Sequence, residues 1–122
     1  NQSISIAKKD AKMTLPIGIL SFNEVSKIGK THANIIYVDE SKIKFPLAVR
    51  KWQEGDYFFP LGMKGKKKLS KYFKDEKLSL IDKENTWLLC SEEAILWVIG
   101  KRADDRFKVT ENTKQIIKFE II

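Results

Sequence analysis

Two segments of the chain alternate apolar and polar residues. Alternate positions from Ile43 to Val49 are apolar, and the same period of two returns in 115–122. This pattern predicts strands with one buried face. Pro46 interrupts the first segment, and a proline cannot donate to a sheet ladder, which favours an edge strand or a bulge there.

Other segments are apolar at nearly every position. Residues 86–90 and 94–99 are two such runs, and their continuous apolar character predicts strands buried on both faces. Shorter apolar runs at 35–38 and 57–59 predict further strands, the second of which ends at Pro60.

Helical spacing is clearest after the second of these short runs. Leu69, Tyr72 and Phe73 stand at positions i, i+3 and i+4, which predicts a helix of about ten residues over 69–78. Together the pattern gives six or seven strands with one or two short helices. We therefore predict a compact α+β domain with a mixed, mostly antiparallel sheet.

Composition narrows the classes of protein. The chain has 122 residues, of which 43% are hydrophobic, enough for one compact core. No apolar stretch approaches the roughly 20 residues that span a bilayer, and no secretory signal opens the sequence, so we expect a cytoplasmic location and no membrane partner. Cys90 is the only cysteine, which excludes an internal disulfide framework and a cysteine-rich zinc site. Because residue 1 is Asn rather than Met, we expect a fragment or a processed chain.

The net charge of +7 is concentrated in one window. Residues 62–77 hold seven lysines and two acidic residues, a local net charge of +5. Within it, Lys67, Lys71 and Lys74 are spaced to line the outward face of the predicted helix. Such an excess indicates an anionic partner, with nucleic acid favoured over a membrane. The alternative is a solvated loop and helix face that keep the domain soluble.

The preference for lysine over arginine in this window indicates how a nucleic acid would be bound. Lysine is a flexible point charge that follows phosphates well and reads base edges poorly. An A-form RNA duplex presents mainly phosphates and hydroxyls to a protein. The patch therefore fits a structured RNA stem.

Signatures of catalysis are weak. The sequence around Gly65 and Lys66 does not match the motif of a phosphate-binding loop, because the residue after Lys66 is lysine rather than Ser or Thr. Gly62 and Gly65 have the spacing of the KH-domain clamp, but a strand ending at Pro60 precedes them where that domain has a helix. The sequence predicts no catalytic residue and no metal ligand in this chain.

The remaining reactive side chains have structural interpretations. His32 lies in a predicted turn and is expected to be solvated, whereas Cys90 lies in an apolar strand and is expected to be buried. Asp104 and Asp105 lie between two arginines and are expected to form ion pairs or to cap a short helix. Trp52, beside two basic residues, is the tryptophan best placed for stacking on a base.

Three stretches of the sequence resemble a known family. They are Pro46–Arg50 (PLAVR), residues 60–70 (PLGMKGKKKLS) and residues 97–109, which follow the pattern WVxGxRxDxRFKV. The similarity covers roughly residues 43–114 and resembles the C-terminal domain of bacterial tRNA(Ile)-lysidine synthetase. Tyr57 departs from the family pattern, since a basic residue is expected there, and so does Lys71, where an acidic residue is frequent.

The resemblance implies that the full-length protein is an ATP-dependent ligase. Such an enzyme adenylates the wobble cytidine of an isoleucine tRNA and then attaches lysine with loss of AMP, which forms lysidine. ATP with magnesium, and lysine, would bind in an N-terminal domain that carries a Ser-Gly-Gly-x-Asp-Ser loop. This sequence lacks that loop. The chain alone is therefore expected to hold no cofactor and to be inactive.

In that family the C-terminal domain grips the acceptor-stem side of tRNA. The resemblance and the lysine spacing together give the expected tRNA contacts or their supports: Arg50, Lys64, Lys66, Lys67, Lys68, Lys71, Lys74, Arg102 and Arg106. Residues 41–122 would form the tRNA-binding domain. Residues 1–40 match less well and are a lead-in, for which the tail of a preceding domain is one interpretation.

Other interpretations of the sequence stay open. The chain could be a stand-alone RNA-binding module, or a protein-interaction domain whose lysine loop is only solvated. A homodimer of the full-length enzyme is also open.

Overall fold

Antiparallel strands form the framework of the protein, whose structure is a computed structural model that describes residues 3–122. Two short helices accompany them, α1 (Leu69–Asp75) and α2 (Leu80–Glu84). The strands are β1 (Ser3–Ile6), β2 (Lys12–Leu15), β3 (Gly18–Val25), β4 (Ile35–Asp39), β5 (Leu47–Lys51), β6 (Tyr57–Phe58), β7 (Lys67–Lys68), β8 (Trp87–Ser91), β9 (Ala94–Val98), β10 (Arg102–Ala103) and β11 (Ile116–Ile121).

The strands form two larger sheets and one small ribbon. One sheet has the order β1-β5-β8-β9-β10, the other has the order β2-β3-β11-β4, and β6 pairs with β7 alone. All strand pairings within residues 3–122 are antiparallel. The predicted α+β class with a mostly antiparallel sheet is confirmed. Within residues 3–122, no helix is long and apolar enough to cross a membrane.

The larger sheets share one hydrophobic core. In β11, Ile117, Phe119 and Ile121 are buried on one face, as their alternation predicts. The ring of Phe119 stacks on that of Phe22 in β3, with centroids 5.2 Å apart. Trp97 of the other sheet belongs to the same buried cluster. The two sheets therefore pack face to face, as two layers with alternating patterns do.

A second core lies against the opposite face of β8 and β9. Leu69, Tyr72 and Phe73 of α1 join this cluster with Phe58 of β6. Because residues of β8 and β9 enter both clusters, these strands are buried on both faces, and that prediction is confirmed. The helical spacing thus anchors α1 on the sheet through one apolar face.

The prediction of an edge strand or a bulge at Pro46 is wrong. The structure begins β5 at Leu47, just after Pro46, and pairs it with β1 on one side and β8 on the other. It is therefore an interior strand rather than an edge. The proline precedes the ladder, so its missing N–H group costs no sheet hydrogen bond. The irregularity of register lies instead between Leu89 and Cys90 in β8.

Helix α1 is shorter than the predicted 69–78. It ends at Asp75, and Lys77 adopts a left-handed conformation with φ of 57°. The N–H of Leu78 donates to the carbonyl of Phe73, which closes the helix end in the manner of a C-terminal cap. A second helix, α2, begins after Ser79, whose side chain accepts a hydrogen bond from the N–H of Asp82.

Residues 3–122 contain eleven strands, not six or seven. The hairpin of β2 and β3 accounts for part of the difference. Pro16 and Gly18 lie at its turn, where Leu15 pairs with Gly18. The rest of the difference comes from two-residue strands, which are too short to produce a period.

Phe73 is one of the side chains that hold α1 against the second core. It is fully buried and packs edge-on against Trp52, with ring centroids 5.0 Å apart. We expect Phe73→Ala to lower the free energy of unfolding by about 3–5 kcal/mol, measured by urea denaturation. Leu80→Ala is the control, because Leu80 is 70% exposed, and we expect it to change stability by less than about 0.5 kcal/mol. Equal midpoints for the two variants would contradict this packing.

Candidate nucleic-acid interface

The lysine-rich segment forms a hairpin, residues 57–68, which we call the basic hairpin. Its two strands are β6 and β7, and α1 follows β7 without a break. Gly62 and Gly65 in the connecting loop have φ values of 82° and 89°. Glycine adopts this left-handed region without steric cost, so both positions let the loop turn tightly.

Strand register sorts the lysines onto two faces. Phe58 lies opposite Lys67, and Tyr57 lies opposite Lys68. Directly opposed residues of an antiparallel pair point to the same face. Phe58 is fully buried, so Lys67 shares the inner face, whereas Tyr57 and Lys68 are exposed on the outer face.

Lys67 is neutralised by α1. Its Nζ lies 2.6 Å from a carboxylate oxygen of Asp75, and its side chain is only 18% exposed. Lys71, one turn before Asp75, lies 3.1 Å from the other oxygen and stays 63% exposed. Hydrogen bonds from Lys67, and then from Lys71, hold the pKa of the Asp75 carboxyl below its ordinary value.

This arrangement corrects the predicted outward helical face. Lys67 belongs to β7 rather than to the helix, and it serves as a partner of Asp75. Five other lysines of the window are exposed and have no ion-pair partner among residues 3–122. They are Lys64, Lys66, Lys68, Lys74 and Lys77.

A buried carboxylate holds the base of the basic hairpin. The Asp104 side chain is fully buried and accepts a hydrogen bond of 2.9 Å from the N–H of Phe59. It also accepts from the backbone N–H of Arg106 at 2.7 Å, and from the Nε and Nη2 atoms of the same residue at 3.0 and 2.9 Å. The predicted ion pair and cap at Asp104 are confirmed.

Backbone contacts complete this attachment. The N–H of Leu61 donates to the carbonyl of Ala103 at 2.9 Å, and the N–H of Asp105 donates to the carbonyl of Phe59 at 2.6 Å. The Arg102 guanidinium donates to the carbonyl of Leu61 at 3.2 Å. Residues 102–106 therefore form the seat of the hairpin, and Arg102 and Arg106 act in it as supports.

Arg50 supports the hairpin from the other side. Its guanidinium forms two hydrogen bonds, of 2.9 and 3.0 Å, with the carboxylate of Asp56. The carbonyl of Asp56 accepts from the N–H of Leu69 at 2.9 Å, at the start of α1. This ion pair fixes the turn between β5 and β6.

The other sequence candidates have structural roles. Trp52 packs on Phe73, and its indole N–H donates to the carbonyl of Lys83 at 3.0 Å, so it supports the second core, and its stacking on a base stays a prediction. Cys90 is buried, as predicted, and burial raises the pKa of its thiol. His32 is exposed, as predicted, and its Nδ1 accepts from the N–H of Asn34.

Sequence reasoning missed two members of the site. Asp75 pairs with Lys67 and Lys71, which the lysine spacing alone assigns to a free outward face, although its i, i+4 spacing from Lys71 is a signal that could have found the pair. Phe59 is held by a carboxylate that lies 45 positions further along the chain, and no local pattern indicates that contact.

The matching family model and the most similar known proteins indicate the same family. Residues 47–120 match the family described as the TilS substrate C-terminal domain. A tRNA(Ile)-lysidine synthase of Parabacteroides distasonis is 58% identical over 83 residues, covering 68% of this chain and 19% of that protein. One of Clostridium tetani is 34% identical over 122 residues, covering 98% of this chain and 26% of that protein.

A solved structure shows the same fold. The crystal structure of a TilS C-terminal domain is similar with a TM-score of 0.77 at 22% identity, over 99% of this chain and 98% of that chain. The chain spans about a fifth to a quarter of the length of the curated relatives named above. With 74 residues matched in one continuous stretch, the chain belongs to the TilS substrate C-terminal domain family.

Proposed function

We propose that this chain is the tRNA-docking part of an ATP-dependent ligase that attaches lysine to the wobble cytidine of an isoleucine tRNA. The names of the relatives support the parent activity. The observation that carries the docking role is the set of exposed, unpaired lysines on the basic hairpin and α1. ATP with magnesium, and lysine, would be bound by the parent's N-terminal domain, as the resemblance implies.

The chemistry of the exposed lysines favours the backbone of a stem. Each ammonium group is a point charge that can follow a phosphate without reading a base. An A-form stem displays two lines of phosphates with a base sequence that side chains reach poorly. We therefore infer that this surface recognises the acceptor-stem side of tRNA by shape and charge.

The attachment of the hairpin adds to this role. Asp104 and the backbone of Ala103 hold residues on both sides of Pro60. A surface that is held in place before binding loses less conformational entropy when the RNA arrives. The lysine side chains are exposed, while hydrogen bonds hold the backbone that carries them.

Salt dependence of RNA affinity is the measurement that tests this proposal. Each phosphate that a lysine neutralises contributes about 0.7–0.9 to the slope of log affinity against log salt. We expect the triple variant Lys64→Ala, Lys66→Ala, Lys68→Ala to flatten the slope for tRNA by about two units. The loss should be similar for different acceptor-stem sequences, because phosphate contacts carry no sequence information.

A matched variant controls for total charge. Lys9, Lys27 and Lys114 are also exposed and lie outside residues 57–77. Changing these three to alanine removes the same charge, and we expect it to leave the slope nearly unchanged. Equal slopes for the two triple variants would contradict docking through the basic hairpin. Absence of salt-dependent RNA binding by the unchanged chain would favour a protein-interaction domain.

Our assignment of catalysis to the N-terminal domain of the parent enzyme gives a second prediction. The chain incubated with ATP, lysine and isoleucine tRNA should produce no lysidine and no AMP, because we place the activating chemistry in the N-terminal domain. Nucleoside analysis of the recovered tRNA by mass spectrometry checks this. A modified cytidine formed by the pure chain would place catalysis here and overturn this assignment.

A further inference from the structure

The outer face of the basic hairpin carries an exposed aromatic ring. Tyr57 is 44% exposed and belongs to neither buried cluster. It stands opposite Lys68 in the β6–β7 pair, at the position where the resemblance leads us to expect a basic residue. An exposed tyrosine ring among lysines offers a partner a large apolar face beside the charges.

Cations and rings follow one another across this face. The Nζ of Lys66 lies 4.6 Å from the centroid of the Tyr57 ring. The Tyr57 ring meets Phe59 edge-on, with centroids 6.1 Å apart, and the guanidinium of Arg106 lies 4.3 Å from the Phe59 ring. Rings and cations placed in this way are the components of sequence-tolerant single-strand binding sites.

Hydrogen bonds to the buried Asp104 hold this row of cations and rings in place. Arg106 is bound by the buried Asp104, which also holds the backbone of Phe59. Tyrosine has few side-chain torsions, so ordering its ring costs little entropy. The row consists of Lys66, Tyr57, Phe59 and Arg106. Lys66 is its only cation that is exposed and has no carboxylate partner, so its ammonium group can leave the Tyr57 ring and bind a phosphate.

A shallow depression of about 420 Å³ lies beside Tyr57. Arg106 and the Arg50–Asp56 pair line it, together with the exposed Glu93. The Asp56 carboxylate is already bound by Arg50, so Glu93 is the carboxylate that would repel a phosphate and accept from the amino group of a neutral base. The lysines would therefore take phosphates, and the depression would take a base.

We propose that Tyr57 is a stacking platform for an unpaired base of the RNA that the lysines bind. Bases within a stem are stacked on one another, so only an unpaired base presents a free face to the ring. This inference rests on the proposed function and deepens it. It assigns this chain a contact with a single-stranded nucleotide next to the stem.

Two RNAs that differ only in an overhang test the inference. One is a blunt RNA hairpin, and the other is the same hairpin with four unpaired nucleotides at its 3′ end. Stacking on an aromatic side chain is typically worth about a tenfold change in affinity or more. We expect the overhang to strengthen binding to the unchanged chain about tenfold, and Tyr57→Ala to remove that gain.

Two control variants separate stacking from loss of surface. Tyr57→Phe keeps the ring and should keep the gain from the overhang. Leu61→Ala removes a 41% exposed apolar side chain of the same hairpin and should also keep it. In Tyr57→Ala the salt slope should stay unchanged, because stacking releases no counterion.

The alternative role for Tyr57 is to position Lys66. In that case Tyr57→Ala would flatten the salt slope by nearly one unit and weaken both RNAs equally, which would overturn the stacking platform while leaving the proposed function intact. An overhang that adds nothing to the affinity of the unchanged chain would overturn it as well. If the unchanged chain does not bind the blunt hairpin in a salt-dependent way, the proposed function itself fails.

Discussion

The buried carboxylate of Asp104 is the interaction on which the candidate surface depends. It ties the base of the basic hairpin, at Phe59, to the turn after β10, through Arg106. These segments lie 45 positions apart in sequence, so the carboxylate links two distant parts of the chain. A buried charge is tolerated here because all four hydrogen-bond donors around it point at its two oxygens.

The basic residues of this surface fall into two groups: some are ion-paired and support the hairpin, and others are exposed to a partner. The arginines at 50 and 106 are each bound to a carboxylate, while Lys67 is bound to Asp75. Arginine suits the first role, because its planar fork forms two hydrogen bonds with one carboxylate. Lysine suits the second role, because its ammonium group is strongly hydrated and its side chain is flexible. The number of basic residues in the segment therefore overstates the number of cations available to a partner.

Local patterns predicted the elements whose packing is local or repetitive. The i, i+3, i+4 spacing from Leu69 found the buried face of α1, and alternation found β11. The end of α1 was missed, because it depends on the left-handed conformation of Lys77. The two faces of the basic hairpin were missed as well. They depend on the register that places Lys67 opposite Phe58, and lysine spacing alone does not fix that register.

The family resemblance and the physical pattern contributed different parts of the account. The motifs identified the family, which the match over residues 47–120 confirms. They did not separate supporting residues from exposed ones. That separation came from burial and from ion-pair distances, and it turns a list of nine basic residues into one set of supports and one set of exposed lysines.

RNA affinity of Asp104→Asn tests the central claim most directly. The substitution raises the net charge from +7 to +8, so charge alone predicts tighter binding. It also replaces one acceptor oxygen with an amino group, so at least one of the donors around Asp104 loses its partner and the hairpin loosens. We predict weaker binding of tRNA at fixed salt, with faster hydrogen exchange at the amides of Phe59 and Arg106 and unchanged exchange in β3 and β11. Binding that is equal or tighter would contradict the account.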